Sequence, residues 1–528
     1  MSRVGCGLAL VALVFSGAIQ AAIAAPHSWV ALHPIAFVPA LFVLSRLSGR
    51  RAFLAGWLFG AAANATIFVW IVHTVSTFTQ LGAWLGVAIL ALFAAAHGLH
   101  AAVFAWGFAR VRRATGAAWP LAIAIWFTAC EFLAPHFFPY RQGVVWYVEP
   151  RLSLATATIG ISGLTWLVLY ANTLLLAAIE TARSRQGFRT LAGNTIVFAI
   201  LLASALGLAH LQEGRVAAAE RAADPIRVAL VQPGEDRPSH DRGDAMRRAE
   251  NLAALAGEAL AADASIQVVV LPEKAIEFEP SREWNRPVRD LAAESGVEVW
   301  TGGAASDRSD PTRPRVYNAA FRIRPDGAES PRYDKNVLVP FGEAMPFGLA
   351  LDGLASAIGR PSFAAGDGMP IHDALGARFA FLICYEAILP GYVREPVRRG
   401  ADLLVNLTYD GWFGDGGEPA QHLMLVAAQA AQLGVPVLRA TSTGITAIID
   451  ARGRLTGRIE VHERRVLVGD VAPLQATGLY VAWGEWFAWG CVAISGLLLA
   501  RGQRPTSRRT STLPSANRTE AGWISRTR

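Results

Sequence analysis

Residues 267–273 read Gln267-Val-Val-Val-Leu-Pro-Glu273: an unbroken apolar run, then a proline and a carboxylate. A short apolar run closed by proline is the pattern of a strand buried on both faces. The glutamate then falls just past the strand's carboxyl end. The flanking sequence repeats the theme. β-rich runs stand at 226–232, 297–303, 317–323, 377–384, 403–407, 435–439 and 445–450. Helical patterns lie between several of them, near 241–263, 283–295 and 417–433. This alternation predicts a layered α/β domain over residues 225–472.

Outward from that domain the character changes. Of the 528 residues, 53% are apolar and only 17% charged, against about 25% charged in ordinary soluble domains. Runs long enough to cross a bilayer, roughly 20 residues, occur near 5–24, 28–46, 52–74, 82–109, 117–134, 158–180, 191–210 and 479–500. The fold expected is therefore a membrane α-helical bundle of about eight spans carrying one α/β domain. Its parts are a seven-span bundle over 1–212, the α/β domain over 225–472, a last span over 478–500 and a disordered basic tail over 501–528. The first run also resembles a signal peptide, but further spans follow at once, so an uncleaved helix is expected.

Charge sets the orientation. Arg46, Arg50 and Arg51 follow the second span, Arg110, Arg112 and Arg113 the fourth, and Arg183, Arg185 and Arg189 the sixth; the tail holds seven arginines against one glutamate. Basic loops stay in the cytoplasm, which puts the α/β domain outside it. The net charge of +7 reflects this topology and gives no sign of nucleic-acid binding. Glu131, late in the fifth span, reads as an interfacial residue that reaches water beside Phe138-Pro139-Tyr140.

Two scarce residue types point to chemistry. Of 48 basic residues only Lys274 and Lys335 are lysine. Where arginine serves almost everywhere, a retained lysine marks a place that needs a compact ammonium. Of four cysteines, only Cys384 lies outside the long apolar runs, so the α/β domain has no disulfide framework. Cys384 ends the run Phe379-Ala-Phe-Leu-Ile-Cys384-Tyr-Glu386, and Lys335 ends Tyr333-Asp-Lys335. In open α/β folds, sites form at strand carboxyl ends. Glutamate, lysine and cysteine together suffice for acyl transfer: the thiolate attacks a carbonyl, the carboxylate moves protons, and the ammonium stabilises the oxyanion. No metal-ligand cluster, phosphate loop or nucleotide fingerprint is present, so neither metal nor cofactor is expected.

These segments resemble the nitrilase superfamily, with its Glu-Lys-Cys triad in this chain order. The likeness is nearer to the family of bacterial apolipoprotein N-acyltransferases, over nearly the whole chain. It rests on Leu-Pro-Glu273-Lys-Ala-Ile, Tyr317-Asn318, Asp334-Lys335 through Val339-Pro-Phe-Gly-Glu343, Ile383-Cys384-Tyr385-Glu386, Asp410-Gly-Trp412-Phe413-Gly-Asp415, Gln421-His422-Leu423 and Leu438-Arg-Ala-Thr441 with Gly444. The resemblance implies a nitrilase-like αββα sandwich. It also implies Cys384 as nucleophile, Glu273 as general base and Lys335 as oxyanion donor. Glu343 would support the triad, Tyr385 and Glu386 would shape the pocket beside Asn318, and Trp412 and Phe413 would form a mobile aromatic loop. The implied reaction is ping-pong at the outer face of the bacterial inner membrane. A phospholipid gives its acyl chain to Cys384, and a diacylated apolipoprotein takes it on its N-terminal amine. A monomer in the lipid bilayer is expected. Lys274 stands where that family more often has a small or polar residue.

Other readings stay open. One is a membrane-tethered nitrilase-like amidase, or an acyltransferase acting on another amine. Another is a catalytically degenerate scaffold in an envelope or conjugation complex. The intact triad argues against the scaffold. The bundle and the apolar stretches at 344–363 and 411–414, which read as loops covering a site or touching lipid, argue against a hydrolase of soluble amides.

Overall fold

The computed structural model describes residues 3–78, 82–234, 242–307, 309, 315–328, 330–340, 342–343, 363–414 and 416–501. The apolar stretch 344–362, Asp415 and the basic tail from 502 lie outside the described residues.

The N-terminal half is helical: α1 (Arg3–Ile23), α2 (His33–Ala36), α3 (Val38–Leu44), α4 (Gly49–Ile67), α5 (Ile71–Phe78), α6 (Ala83–His97), α7 (Leu99–Thr115), α8 (Trp119–Leu133), α9 (Pro150–Ser153), α10 (Thr156–Ser184) and α11 (Phe188–Ala222). The expected apolar runs all form helix, though not each as one unbroken span. The second is the short pair α2 and α3. The third bends by 56° between α4 and α5. Four helical stretches among the described residues are long and apolar enough to cross a bilayer, or five with the bent pair. One of these, Ala83–Leu133, reverses after α7. Trp126 Nε1 donates to the Phe104 carbonyl at 2.9 Å, and the rings of Phe104 and Phe127 meet at 5.0 Å. Residues so far apart in sequence touch only if α7 and α8 lie side by side.

Glu131 departs from the expectation. It is buried, and its carboxylate accepts hydrogen bonds from the Gln142 amide (2.8 Å) and the Thr165 hydroxyl (2.9 Å). The segment after α8 folds back as a 3-10 turn, Gln142–Val148. Glu131 satisfies that turn's first free amide instead of reaching water.

The C-terminal half holds two six-stranded sheets. In chain order the strands are β1 (Ile226–Gln232), β2 (Val268–Val270), β3 (Glu298–Asp307), β4 (Arg315–Ile323), β5 (Tyr333–Asp334), β6 (His372–Ala374), β7 (Ala377–Ile383), β8 (Leu403–Thr408), β9 (Val437–Thr441), β10 (Thr446–Ile449), β11 (Leu455–Ile459) and β12 (Arg465–Val471). The sheets run β12-β1-β2-β3-β4-β5 and β11-β10-β9-β8-β7-β6. The pairs β1–β2, β2–β3, β7–β8 and β8–β9 are parallel, and the outer pairs are antiparallel.

Alternation along the strands sorts their side chains between layers. Val228, Leu230, Val270 and Trp300 face Phe379, Phe381, Val405 and Leu438 in the core between the sheets. Trp300 stacks on Phe379 at 4.0 Å. Ala229, Val231 and Val269 point the other way, under α12 (Arg242–Ala262) and α13 (Arg286–Ser295). The outer face of the second sheet carries α14 (Pro390–Arg398) and α15 (Glu418–Leu433). The result is an αββα sandwich. Two last helices, α16 (Leu479–Trp483) and α17 (Trp486–Arg501), return to the bundle, where Trp489 meets Phe132 at 5.1 Å.

The sandwich and the bundle share one hydrophobic core through α15, which is buried along its whole length except at Ala420. Its glutamines dock into breaks of the bundle helices. Gln421 Nε2 donates to the Ile67 carbonyl at 2.8 Å, at the α4–α5 bend, and its Oε1 accepts from Trp70 Nε1 at 3.0 Å. Gly160 kinks α10 with a φ of 67°, and the freed Ile161 amide donates to Gln432 Oε1 at 2.7 Å. Backbone groups released by a kink need partners when buried, and here the neighbouring domain supplies them.

Candidate active site

Glu273, Lys335 and Cys384 all sit just past strand ends, on β2, β5 and β7, and all three are buried. Parallel pairing aligns the ends of β2 and β3, the two antiparallel steps from β3 through β4 to β5 return the end of β5 to that same side, and face-to-face stacking sets these ends against that of β7.

On the first sheet a chain of polar contacts joins the acidic and basic members. Asn318, in β4, donates through Nδ2 to both Glu273 Oε1 (2.7 Å) and Glu343 Oε1 (3.0 Å). Glu343 Oε2 accepts from the Val339 amide at 2.9 Å and lies 2.7 Å from Lys335 Nζ. The Lys335 amide donates to the Asn318 carbonyl at 2.8 Å. One amide side chain thus fixes two carboxylates around a fully buried lysine. Among the described residues Glu273 Oε2 has no hydrogen-bond partner, while Lys335 Nζ is engaged by the Glu343 carboxylate.

Cys384 follows β7 with a φ of 51°, a left-handed conformation that costs a side-chain-bearing residue about 1–3 kcal/mol and persists only where the surroundings enforce it. Glu386 does the enforcing. Its Oε2 accepts from the Ile383 amide (2.8 Å) and the Tyr333 hydroxyl (2.6 Å), and its Oε1 from the amides of Asn336 (2.8 Å) and Val337 (3.0 Å). The Tyr333 hydroxyl also meets Tyr392, which receives Asn336 Nδ2 at 2.7 Å. Glu386 therefore ties the cysteine turn to the segment carrying Lys335, a role that Tyr333, Asn336 and Tyr392 share. Neither Asn336 nor Tyr392 could be singled out from sequence, because their contacts join segments some fifty residues apart.

Behind the cysteine, Asp410 pairs with Arg439 at 2.6 Å and accepts from His422 Nδ1 at 3.1 Å, all buried. Asp410, Glu418 and His422 have metal-ligand chemistry and lie within 4.8 Å of one another. Arg439 already supplies a cation to that carboxylate, so the group works as it stands, as an ion-paired support. Arg439 entered the sequence reading only within the motif Leu438-Arg-Ala-Thr441, with no role attached.

The electrostatics follow from burial. Desolvation pushes the Cys384 thiol well above its ordinary pKa; the nearby Glu273 adds to this and Lys335 opposes it. Burial also raises the Glu273 carboxyl, against the pull of Lys335 and Lys274. Burial would raise Glu343 too, but the adjoining Lys335 ammonium holds it below the usual carboxylate range. Burial disfavours the Lys335 charge, and the carboxylates around it, Glu343 first, more than restore it. The resting arrangement is a neutral thiol beside a basic carboxylate and a fixed ammonium.

The site faces the bundle. Tyr385 donates its hydroxyl to the Phe137 carbonyl and packs against the rings of Phe137 and Phe138 at 5.9 and 6.0 Å. Phe413 meets Trp70 at 5.2 Å. A Cβ on Gly414 would lie 2.3 Å from His73 Nε2, so the aromatic turn rests closely on α5. Trp412 points toward Tyr409 (5.4 Å) and lies 5.0 Å from Lys274 Nζ.

Comparison with known proteins places this architecture. Residues 227–478 match the family described as Carbon-nitrogen hydrolase, and residues 16–174 match the Apolipoprotein N-acyltransferase N-terminal domain. The apolipoprotein N-acyltransferase of Geobacter metallireducens is 31% identical, covering 90% of this chain and 90% of its own. That of Pseudomonas syringae pv. tomato is 30% identical, covering 93% and 97%. Among solved structures, Saccharomyces cerevisiae Nit3, of branch 10 of the nitrilase superfamily, aligns at 18% identity and a TM-score of 0.38 over 47% of this chain and 90% of its own, too distant to bear on the site.

Proposed function

The chain belongs to the apolipoprotein N-acyltransferase family, and from that premise we propose that it moves a fatty acyl chain from a phospholipid to the N-terminal amine of an S-diacylglyceryl-cysteine on apolipoproteins, through a thioester on Cys384. The observation that carries this is the buried cluster of Glu273, Lys335 and Cys384, built against the membrane bundle through Tyr385 and Phe137.

In the first half-reaction Glu273 takes the Cys384 proton as the sulfur attacks the ester carbonyl carbon of the phospholipid. The developing oxyanion meets the Lys335 ammonium, which Glu343 holds in place and keeps charged. The carbon–oxygen bond breaks, Glu273 returns the proton to the departing alkoxide, and a lysophospholipid leaves. In the second half the amine attacks the thioester carbonyl. Glu273 takes a proton from the nitrogen and passes it to the leaving sulfur, which restores the thiol and completes the amide. A thioester survives only where water is kept out, and the burial of Cys384, next to a tyrosine that packs on aromatic side chains of the bundle, supports that requirement. The basic loops support a site on the outer face of the inner membrane, where phospholipid donors lie in the adjoining leaflet.

Mass spectrometry of the purified protein in phospholipid vesicles tests the scheme. Wild type should gain one acyl mass that hydroxylamine removes, and should restore growth to a strain lacking lipoprotein N-acylation. Cys384→Ser should do neither. A wild type that neither acquires acyl mass from phospholipid nor complements would overturn the scheme.

A further inference from the structure

Lys274 is a cation at this site that the proposed chemistry leaves unused. It follows Glu273 directly and adopts a left-handed φ of 56°. Its turn is pinned from below: a Cβ on Gly302 would lie 2.6 Å from Glu273 Cα, so β3 holds this backbone with no slack. The ammonium lies 5.3 Å from the ring centre of Phe363 and 5.0 Å from that of Trp412. Phe363 is fixed in turn, since its amide donates to the Glu343 carbonyl at 3.1 Å. Lys335 has Glu343 as its ion-pair partner. Lys274 pairs with no carboxylate among the described residues.

Two ring faces orient an ammonium without neutralising it. They leave it with charge and donors to spare in a half-buried position beside the acylation centre. A carboxylate partner would cancel that charge. We infer that Lys274 is a specificity-determining residue that holds the phosphodiester of the acyl donor while Cys384 attacks the ester. This rests on the phospholipid donor proposed above, whose phosphate lies only a few bonds from the ester carbonyl. The lysine charge then falls where the donor's own charge must sit, and phosphate-free esters lose that contact. The scarcity of lysine fits: a compact ammonium seats between two rings, where a planar guanidinium would stack on one of them.

The test compares two donors on the full-length protein. Acylation of Cys384 is timed with phosphatidylglycerol vesicles and with p-nitrophenyl palmitate, for wild type, Lys274→Gln and Lys274→Arg. A lost charge-assisted contact should lower the phospholipid-to-ester rate ratio of Lys274→Gln by about tenfold to hundredfold, with Lys274→Arg between the two. A dialkyl ether phosphatidylglycerol, which cannot be cleaved, should inhibit wild-type reaction with the palmitate ester and inhibit Lys274→Gln at correspondingly higher concentration. If the ratio and the ether-lipid inhibition stay as in wild type, or both donors slow alike, Lys274 serves the fold and the inference is wrong. A wild type acylated by the palmitate ester but by no phospholipid would bring down the donor assignment itself, and this inference with it.

Discussion

At the residue scale the site is a chain of dependencies. Asn318 holds Glu273 and Glu343 with one amide, and Glu343 holds Lys335. Removing the Glu343 charge leaves a fully buried ammonium without its nearest counter-ion. Glu343→Gln should therefore slow acyl-enzyme formation by about tenfold to hundredfold, the scale of one hydrogen bond to a charged group. It should also lower the melting temperature, since breaking a buried pair costs about 3–5 kcal/mol. Glu343→Asp should recover part of the rate. Wild-type acylation kinetics in Glu343→Gln would remove Glu343 from the site. The pH dependence follows from signs already fixed. Glu273 must be ionised to accept a proton, and burial raises its pKa. Acylation should then fail as pH drops through a value above the ordinary glutamate range, because below it Glu273 already carries the proton. Cys384 is raised well above an ordinary thiol, and Lys335 is raised as well. No alkaline rise with the profile of a free thiol, near pH 8.5, should appear. A rate profile showing that rise, or an acid limb at the pKa of an exposed glutamate, would contradict the assignment of base and nucleophile. These residues were readable because cysteine and lysine are rare here. Their mutual support was not, since Asn318 reaches across 45 and 25 positions to its two partners.

At the element scale, strands with two buried faces announced themselves and edge strands did not. β1 was read to the residue, and β7 and β8 to within one. The short β5 and β6 and the outer β11 and β12 were missed. β11 alternates exposed and half-buried residues until its last position, and β12 is half-buried for most of its length, so neither has the continuous apolar signature of a central strand. The helix breaks were equally hidden. No proline marks the bend between α4 and α5 or the kink at Gly160, and each break is stabilised by a partner distant in sequence. That partnership is testable. Gln432→Leu leaves the Ile161 amide without its acceptor in a buried position, and an orphaned buried donor costs about 1–3 kcal/mol. Thermal unfolding in detergent should show a corresponding drop. Gln429→Leu should lose less, since among the described residues the Gln429 Oε1 accepts only from Gln432, at 3.3 Å. Equal stability of wild type and Gln432→Leu would mean that the kink needs no support from α15.

At the scale of the whole molecule, the bundle and the sandwich behave as one body because they are packed as one. The outer face of the second sheet, α15 and the bundle helices share a single buried cluster, and Arg452 pairs with Glu213 and Glu220 on α11. At 1.5 Å per residue α11 is about 52 Å long, well beyond the roughly 30 Å of a bilayer core, so its last turns stand clear of the lipid and brace the sandwich. Orientation can be read with reporter fusions after Arg113 and after His210. Alkaline phosphatase should be active only at the second, and activity at the first with none at the second would invert the topology and remove the site from the outer face. The shared core makes a sharper demand. A sandwich expressed alone from residue 223 to 478 would expose the apolar outer side of α15, together with Tyr385 and Phe413, which pack on Phe137, Phe138 and Trp70 in the intact chain. A patch of that kind exceeds what soluble monomers tolerate. The fragment should aggregate or require detergent, and should lack acyl-enzyme formation even with a soluble ester donor. Co-expression with residues 1–222 should restore both. A monodisperse fragment that takes up an acyl group unaided would show that the bundle only anchors the enzyme and has no part in building its site.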